Sequence, residues 1–250
     1  MRACFLTFLL ATLSAALWTA VPDHVIAAQR FISVITPENN SYSTNRIIVW
    51  PADGTIARNE TVCSSFITAL LMHTYAIPEK DIAAWFGSPN PKARVYHRAI
   101  ERQNGFLRIT NIRNIQSGDI LAIRYPAGTV SDDGYTNSGH VVVVSGIPKS
   151  MHQKPFISNT VQYAVRIIDC SSSGHGRDDT RARLTITGIV QSTGAGEGTM
   201  RLYAYSNGMI AGYSWSTSSA SAYYPATERS VAVGRINRSG IGNTASGAVR

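Results

Sequence analysis

Cys63 sits where a polar loop gives way to an apolar run, Asn59-Glu-Thr-Val-Cys-Ser-Ser-Phe-Ile-Thr-Ala-Leu-Leu, which reads as the opening turn of a helix. Unpaired N–H groups and the positive end of the helix macrodipole favour a thiolate there, and an imidazole nearby would add to the effect. His140 offers such an imidazole. It opens Ser138-Gly-His-Val-Val-Val-Val after a glycine-containing polar loop, so a base stands at the mouth of a strand anchored by its apolar run. Asp169 ends a second such strand, Val165-Arg-Ile-Ile-Asp, and is placed to orient the ring. A thiol, an imidazole and a carboxylate in this order suit acyl transfer through a covalent thioester.

His175, in Gly174-His-Gly-Arg-Asp-Asp, follows Asp169 by six positions and is the alternative third residue or a substrate contact. His73 and His97 fall inside predicted helices with no second histidine or cysteine at i+3 or i+4, so they read as surface or core histidines. Cys170 and His175 have a loose zinc-like spacing, but two ligands do not make a site. No metal and no cofactor are expected. Cys170 directly follows Asp169, and neighbours on a strand point to opposite faces, so it is expected to face away from the site. A Cys63–Cys170 disulfide is the competing reading for two cysteines in an oxidising compartment.

The elements that must position these groups form one domain, since 250 residues with 44% hydrophobic content bury one substantial core. Residues 1–28 read as a signal peptide: Arg2 supplies the charge, Phe5 to Trp18 the apolar stretch, and Val25-Ile-Ala-Ala the small residues near a cleavage point. The expectation is a periplasmic or secreted protein without stable membrane insertion after processing, with a catalytic domain over 29–234 and a mobile Gly/Ser/Arg tail over 235–250. Removing residues 1–28 takes Arg2 and Asp23, so the net charge stays at +8, which suits an anionic envelope or surface. Lys and Arg look scattered rather than striped, no nucleic-acid motif is present, and no nucleic-acid partner is expected.

Short strands are predicted over Arg30 to Thr36 and Asn45 to Trp50. Val62, Phe66, Leu70 and His73 mark one face of a helix capped by Asn59 or Thr61 and stopped before Pro78, with two further helices over Glu79 to Phe86 and after Pro91. From Phe106 the period becomes that of strands: 106–110, 120–125, 140–145, 163–169, 183–190, 200–205, 209–214 and 229–233. Helices segregated ahead of an antiparallel meander give an α+β fold with the Cys63 helix packed across the sheet.

Cys63-Ser-Ser-Phe-Ile, Gly118-Asp-Ile-Leu-Ala-Ile and Ser138-Gly-His-Val-Val-Val-Val-Ser-Gly resemble, in order, the nucleophile, Gly-Asp and catalytic-histidine motifs of the NlpC/P60 cysteine peptidases. The resemblance covers residues 59–172. It implies a papain-like α+β domain with Cys63, His140 and Asp169 as the catalytic set, and cleavage of amide bonds in cell-wall (peptidoglycan) peptides, the substrate being a peptide or peptidoglycan fragment. Val62 stands where the family commonly has Asp, Ser65 replaces its usual Gly, and the step from His140 to Asp169 is lengthened by an insertion over Lys149 to Thr160. Two further readings stay open: an acyltransferase on the same scaffold, and a secreted cell-wall or carbohydrate-binding module in which the disulfide is structural and Tyr203, Tyr205, Tyr213, Tyr223 and Tyr224 meet the ligand.

Overall fold

The computed structural model describes residues 21–130, 134 and 136–237. The apolar stretch of the expected signal and the tail beyond residue 237 lie outside the described residues. In chain order the elements are α1 (Asp23–Val34), β1 (Asn40–Tyr42), β2 (Ile47–Val49), β3 (Arg58–Thr61), α2 (Cys63–Tyr75), α3 (Glu79–Phe86), α4 (Ala93–Glu101), β4 (Phe106–Ile109) and β5 (Ile120–Arg124). Then come β6 (Gly139–Val144), β7 (Lys149–Met151), β8 (Thr160–Ser171), β9 (Ala182–Thr185), β10 (Gly188–Gln191), β11 (Gly194–Tyr205), β12 (Ile210–Ser214), β13 (Tyr223–Pro225) and β14 (Ser230–Ile236).

The fold is α+β, with a nine-stranded sheet among the described residues in the order β13-β12-β11-β8-β6-β5-β14-β4, and β7 paired to β8. Among the described residues all of its strand pairings are antiparallel. It is not a plain meander: β14 returns from the end of the chain and inserts between β4 and β5. Alternating side chains divide the core. Val141, Val143, Ile168 and Cys170 join Phe31, Phe66, Leu70 and Tyr96 on the helix side, whereas Val142, Val144 and Ile167 join Met200, Leu202 and Tyr213 on the other. This explains the unbroken apolar run after His140, because a strand covered on both faces has no polar alternation.

Three expectations are corrected. The strand predicted over Arg30 to Thr36 is the second half of α1, with Val25, Ala28 and Phe31 buried one helical turn apart. Its period of 3.6 emerges only when the stretch is read from Asp23, which had been assigned to the signal. Second, the predicted strand over 183–190 is a hairpin, β9 turning into β10 at residues 186–187. Third, Asn59 and Thr61 do not cap α2: Asn59 Nδ2 donates to Asn40 Oδ1 at 2.9 Å and Thr61 Oγ1 to Asn59 Oδ1 at 2.6 Å, so both turn inward. The N-cap position is Val62, which has no side-chain acceptor to offer.

The folded body also begins before the expected boundary at residue 28. Helix α1 straddles it, and buried His24 is held by Tyr75 Oη at 2.6 Å and by the Gly118 carbonyl at 2.9 Å. At the other end β14 runs through Ile236, two residues past the expected domain limit. A chain starting at Gln29 therefore loses the buried Val25 and Ala28 side chains. It is expected to unfold in urea with at least about 2 kcal/mol less stability than a chain starting at Val21.

Candidate functional site

β6 and β8 pair at only two positions, Val143 with Ile168 and Val144 with Ile167. Towards the start of β6 the two strands stop pairing, and His140 and Asp169 occupy that opening in the sheet. Gly139 is required here. Its φ is +129°, and a Cβ would lie 1.8 Å from the Ile123 carbonyl oxygen, a contact no other residue can make. This is how the chain enters β6 so that His140 starts the strand beside Ile123 of β5.

His140 Nε2–H donates to Asp169 Oδ2 at 2.6 Å. The Cys63 side chain lies close enough to the ring to shift its titration, and Nδ1 is the nitrogen that Asp169 leaves over. The three sequence-predicted residues are thus brought together, Cys63 and His140 each 5% exposed and Asp169 fully buried. Burial alone would push the imidazolium down, but the Cys63 charge, the Asp169 hydrogen bond and the Asp169 charge outweigh it and lift His140 to about 10. At Asp169 burial pushes the carboxyl up, and the Arg181 charge, followed by His175, holds it well below the usual carboxylate range.

His175 also belongs to this cluster. Its Nε2–H donates to the same Asp169 Oδ2 at 3.0 Å, and its Nδ1 faces the Trp215 carbonyl oxygen at 2.6 Å. It stands behind Asp169, not between Asp169 and Cys63, so it supports the carboxylate that orients His140 rather than replacing it. Trp215 stacks on His175 at 4.3 Å and meets the His140 ring edge-on at 4.8 Å, which screens the His140–Asp169 hydrogen bond from water. Its Nε1 is buried with no partner among the described residues, a donor left over beside the imidazole.

Two members of the constellation went unnoticed in the sequence. Arg181, only 3% exposed, donates to Asp169 Oδ1, to both oxygens of Asp179, to Ser171 Oγ and to the Gly194 carbonyl. Asp179 in turn accepts from the His175 and Arg181 backbone N–H groups. Room for this comes from β11: a Cβ at Gly196, opposite Asp169, would meet Arg181 Nε at 2.5 Å, and one at Gly198 would meet Asp179 Oδ2 at 2.4 Å. The signal was the alternation Gly194-Ala-Gly-Glu-Gly, which clears one face of a strand.

Cys170 faces away from Asp169, as alternation requires, yet it is not remote from the start of the Cys63 helix. Its thiol donates to the Thr61 carbonyl at 3.0 Å, beneath the chain that leads into α2, and burial pushes its pKa up to about 12. Cys63 and Cys170 are both free thiols. His140, Asp169 and His175 carry ligand-type atoms within 4.8 Å of one another. Both imidazole nitrogens, however, are aimed at one carboxylate oxygen whose partner oxygen holds a guanidinium, so the set is filled by its own hydrogen bonds and a cation beside Arg181 would be repelled. His73 is exposed and stacks on Trp50 at 4.3 Å, away from this site.

No protein-family model matches the sequence, and no solved structure matches the chain. The uncharacterized protein R653 of Acanthamoeba polyphaga mimivirus is 34% identical over 227 residues, an alignment that covers 86% of this chain and 97% of that protein. The chain belongs to the R653 family. Because the alignment spans nearly all of R653 and 86% of this chain, the likeness is not confined to one motif.

The raised His140 pKa fixes a sign. An imidazole at its ordinary 6.5 in the unfolded chain and about 10 in the fold contributes stability that is fully present below 6.5 and is lost as pH rises through 10. An NMR titration of the His140 ring is expected to show that high midpoint in the native protein. In Cys63→Ser it should fall, since the largest raising contribution is gone.

Proposed function

We propose that the protein is a thiol-dependent hydrolase of acyl bonds, using Cys63 as nucleophile, His140 as general base and acid, and Asp169 as the group that orients the imidazole. The observation that carries this reading is the placement of the Cys63 side chain at the start of α2 against a ring whose far nitrogen is held by a buried carboxylate. The thiolate attacks a carbonyl carbon, His140 delivers its proton to the leaving amine as the amide bond breaks, and water deprotonated by the same imidazole then attacks the thioester, releasing the acid and regenerating the thiol. The uncapped N–H groups of the first turn of α2 are suited to the oxyanion, because Val62 takes none of them.

The fold reading that goes with it is a papain-like one of NlpC/P60 type, supported by the order of the three motifs and by a nucleophile helix lying across an antiparallel sheet. In that reading the substrate is an amide in a peptide or peptidoglycan fragment, and the protein acts after export, in keeping with its positive charge. The binding-module reading loses its two supports. The cysteines are free, and of the five tyrosines Tyr203 and Tyr213 are fully buried while only Tyr205 is exposed.

Cys63→Ala is expected to fold and to lose all but trace turnover of peptidoglycan fragments, with product masses distinguishing hydrolysis from transfer to an added amine; retained turnover would sink the assignment. Asp169→Asn and His175→Gln, assayed side by side on one substrate, order the supporting groups. Asp169→Asn should be the more crippled, by less than the roughly 10⁴-fold seen when the equivalent change inverts a serine-enzyme tautomer, since amides serve in related thiol sites. The reverse order would place His175 as the third residue.

A further inference from the structure

A cavity of about 540 Å³ lies between α4 and β5, walled by Arg94, Arg98, Arg102 and Arg124, with His97 and Ser230 among its other lining residues. A second cavity, of about 300 Å³, shares Arg94 and Arg124 and extends to Ser138. The apparent scatter of basic residues is corrected here. Arg94, Arg98 and Arg102 recur every four positions along α4 and its C-cap, and the sheet adds Arg124 beside them.

No side chain among the described residues neutralises these four guanidinium groups. The carboxylate of Glu101 on the first cavity's wall is held by Arg108 at 2.9 Å, and that of Glu228 on the second lies 3.9 Å from Arg229. Helix stability does not account for the set. Arg98 and Arg102 complement the C-terminal end of the α4 dipole, but Arg94 stands in the first turn, where a cation is disfavoured, and like charges four apart repel. His97 adds to the picture from below: its Nε2 meets Ser230 Oγ at 3.0 Å, and burial, followed by the charges of Arg124 and Arg108, drives its pKa down to about 4. Burial, reinforced by the neighbouring guanidinium charges, keeps this histidine neutral beside the cleft.

We propose that this cleft binds a ligand bearing one or more phosphoryl groups. Three guanidinium forks arrive from a helix and one from a strand, so they approach from different directions. A tetrahedral oxyanion can meet such an arrangement with several oxygens, whereas a planar carboxylate satisfies one fork or two. The location gives a use for the site. Arg124 pairs in register with Gly139, next to His140, and Ser138 lines the smaller cavity, so a phosphoryl group held there lies at the end of the sheet that carries the imidazole. That it marks the charged end of the substrate rests on the thiol-hydrolase reading; the binding itself does not.

Calorimetric titration of the full chain with pyrophosphate, inorganic phosphate and citrate tests the proposal. Pyrophosphate is expected to bind saturably and more tightly than citrate, and both Arg94→Gln/Arg124→Gln and Arg98→Gln/Arg102→Gln should weaken it by about tenfold or more. Without anion both double variants should melt no lower than the native protein, because relieved repulsion offsets lost contacts. A phosphate monoester with an acyl chain, titrated in parallel, tells a substrate-borne phosphoryl group from a free anion by which of the two binds more tightly. Absence of saturable pyrophosphate binding, unchanged affinity in both double variants, or equally tight citrate would overturn it. Cys63→Ala is expected to keep native affinity, so failure of the anion site and failure of the catalytic reading give different results.

Discussion

The fold is organised around one buried carboxylate. Asp169 has no solvent exposure, and an isolated charge in that position would cost several kcal/mol. It is tolerated because its Oδ1 takes a bond from Arg181 and its Oδ2 takes bonds from both His140 and His175. Each of those partners needs its own restraint. Arg181 is fixed by Asp179, Ser171 and the Gly194 carbonyl, and His175 by Trp215 and the Asp179 carboxylate. Satisfying a single carboxylate therefore recruits the segment between β8 and β9, a glycine-lined face of β11 and the chain that follows β12. Removing any one group leaves another charged or polar atom buried without a partner, which is why such networks hold together as units.

The distribution of charge in this network bears on the proposed thiol chemistry. Asp169 faces more positive charge than it can neutralise alone, and Asp179 shares that load by holding Arg181 from the other side. The imidazole of His140 is left between Asp169 and the Cys63 sulfur, so its proton answers chiefly to those two. A ring fixed at one nitrogen by an immobile acceptor can turn only about that bond. The orientation required for proton transfer is thus supplied by packing rather than by the substrate.

The convergence of Cys63, His140 and Asp169 was legible in the sequence because each sits at the junction of a polar loop and an apolar run, and such junctions are strand or helix ends. The α+β layout was legible for the same reason. What escaped notice depended on long-range packing. Arg181 and Asp179 lie in a polar, loop-like stretch, and nothing local marks them as buried; only the alternate glycines of β11, some fifteen residues later, betray the space they fill. The α1 helix was misread because its first residues were credited to a targeting segment, which hid the helical period. The β9–β10 hairpin was read as one strand because its turn carries Ile186-Thr-Gly rather than the Asn-Gly or Asp-Gly that announces a tight turn.

Several local rules are broken in this protein, and they are broken in one place. Helix α2 starts without a side-chain cap, a deficit of about 1 kcal/mol against Ser, Thr, Asp or Asn at that position. Gly139 holds a positive φ against a backbone carbonyl, Trp215 Nε1 is buried without a partner, and charged side chains lie out of solvent around Asp169. Asn59 and Thr61 stand within a few residues of the uncapped helix start but turn instead to Asn40 and to each other, beneath which Cys170 is bonded to the Thr61 carbonyl. The chain at this point is fixed from below, while the helix N–H groups above it receive no side-chain acceptor from Val62. An arrangement selected for stability alone would place a capping side chain at the helix start, and the cap is missing where a thiol, an imidazole and a carboxylate converge, as the proposed thiol chemistry would require.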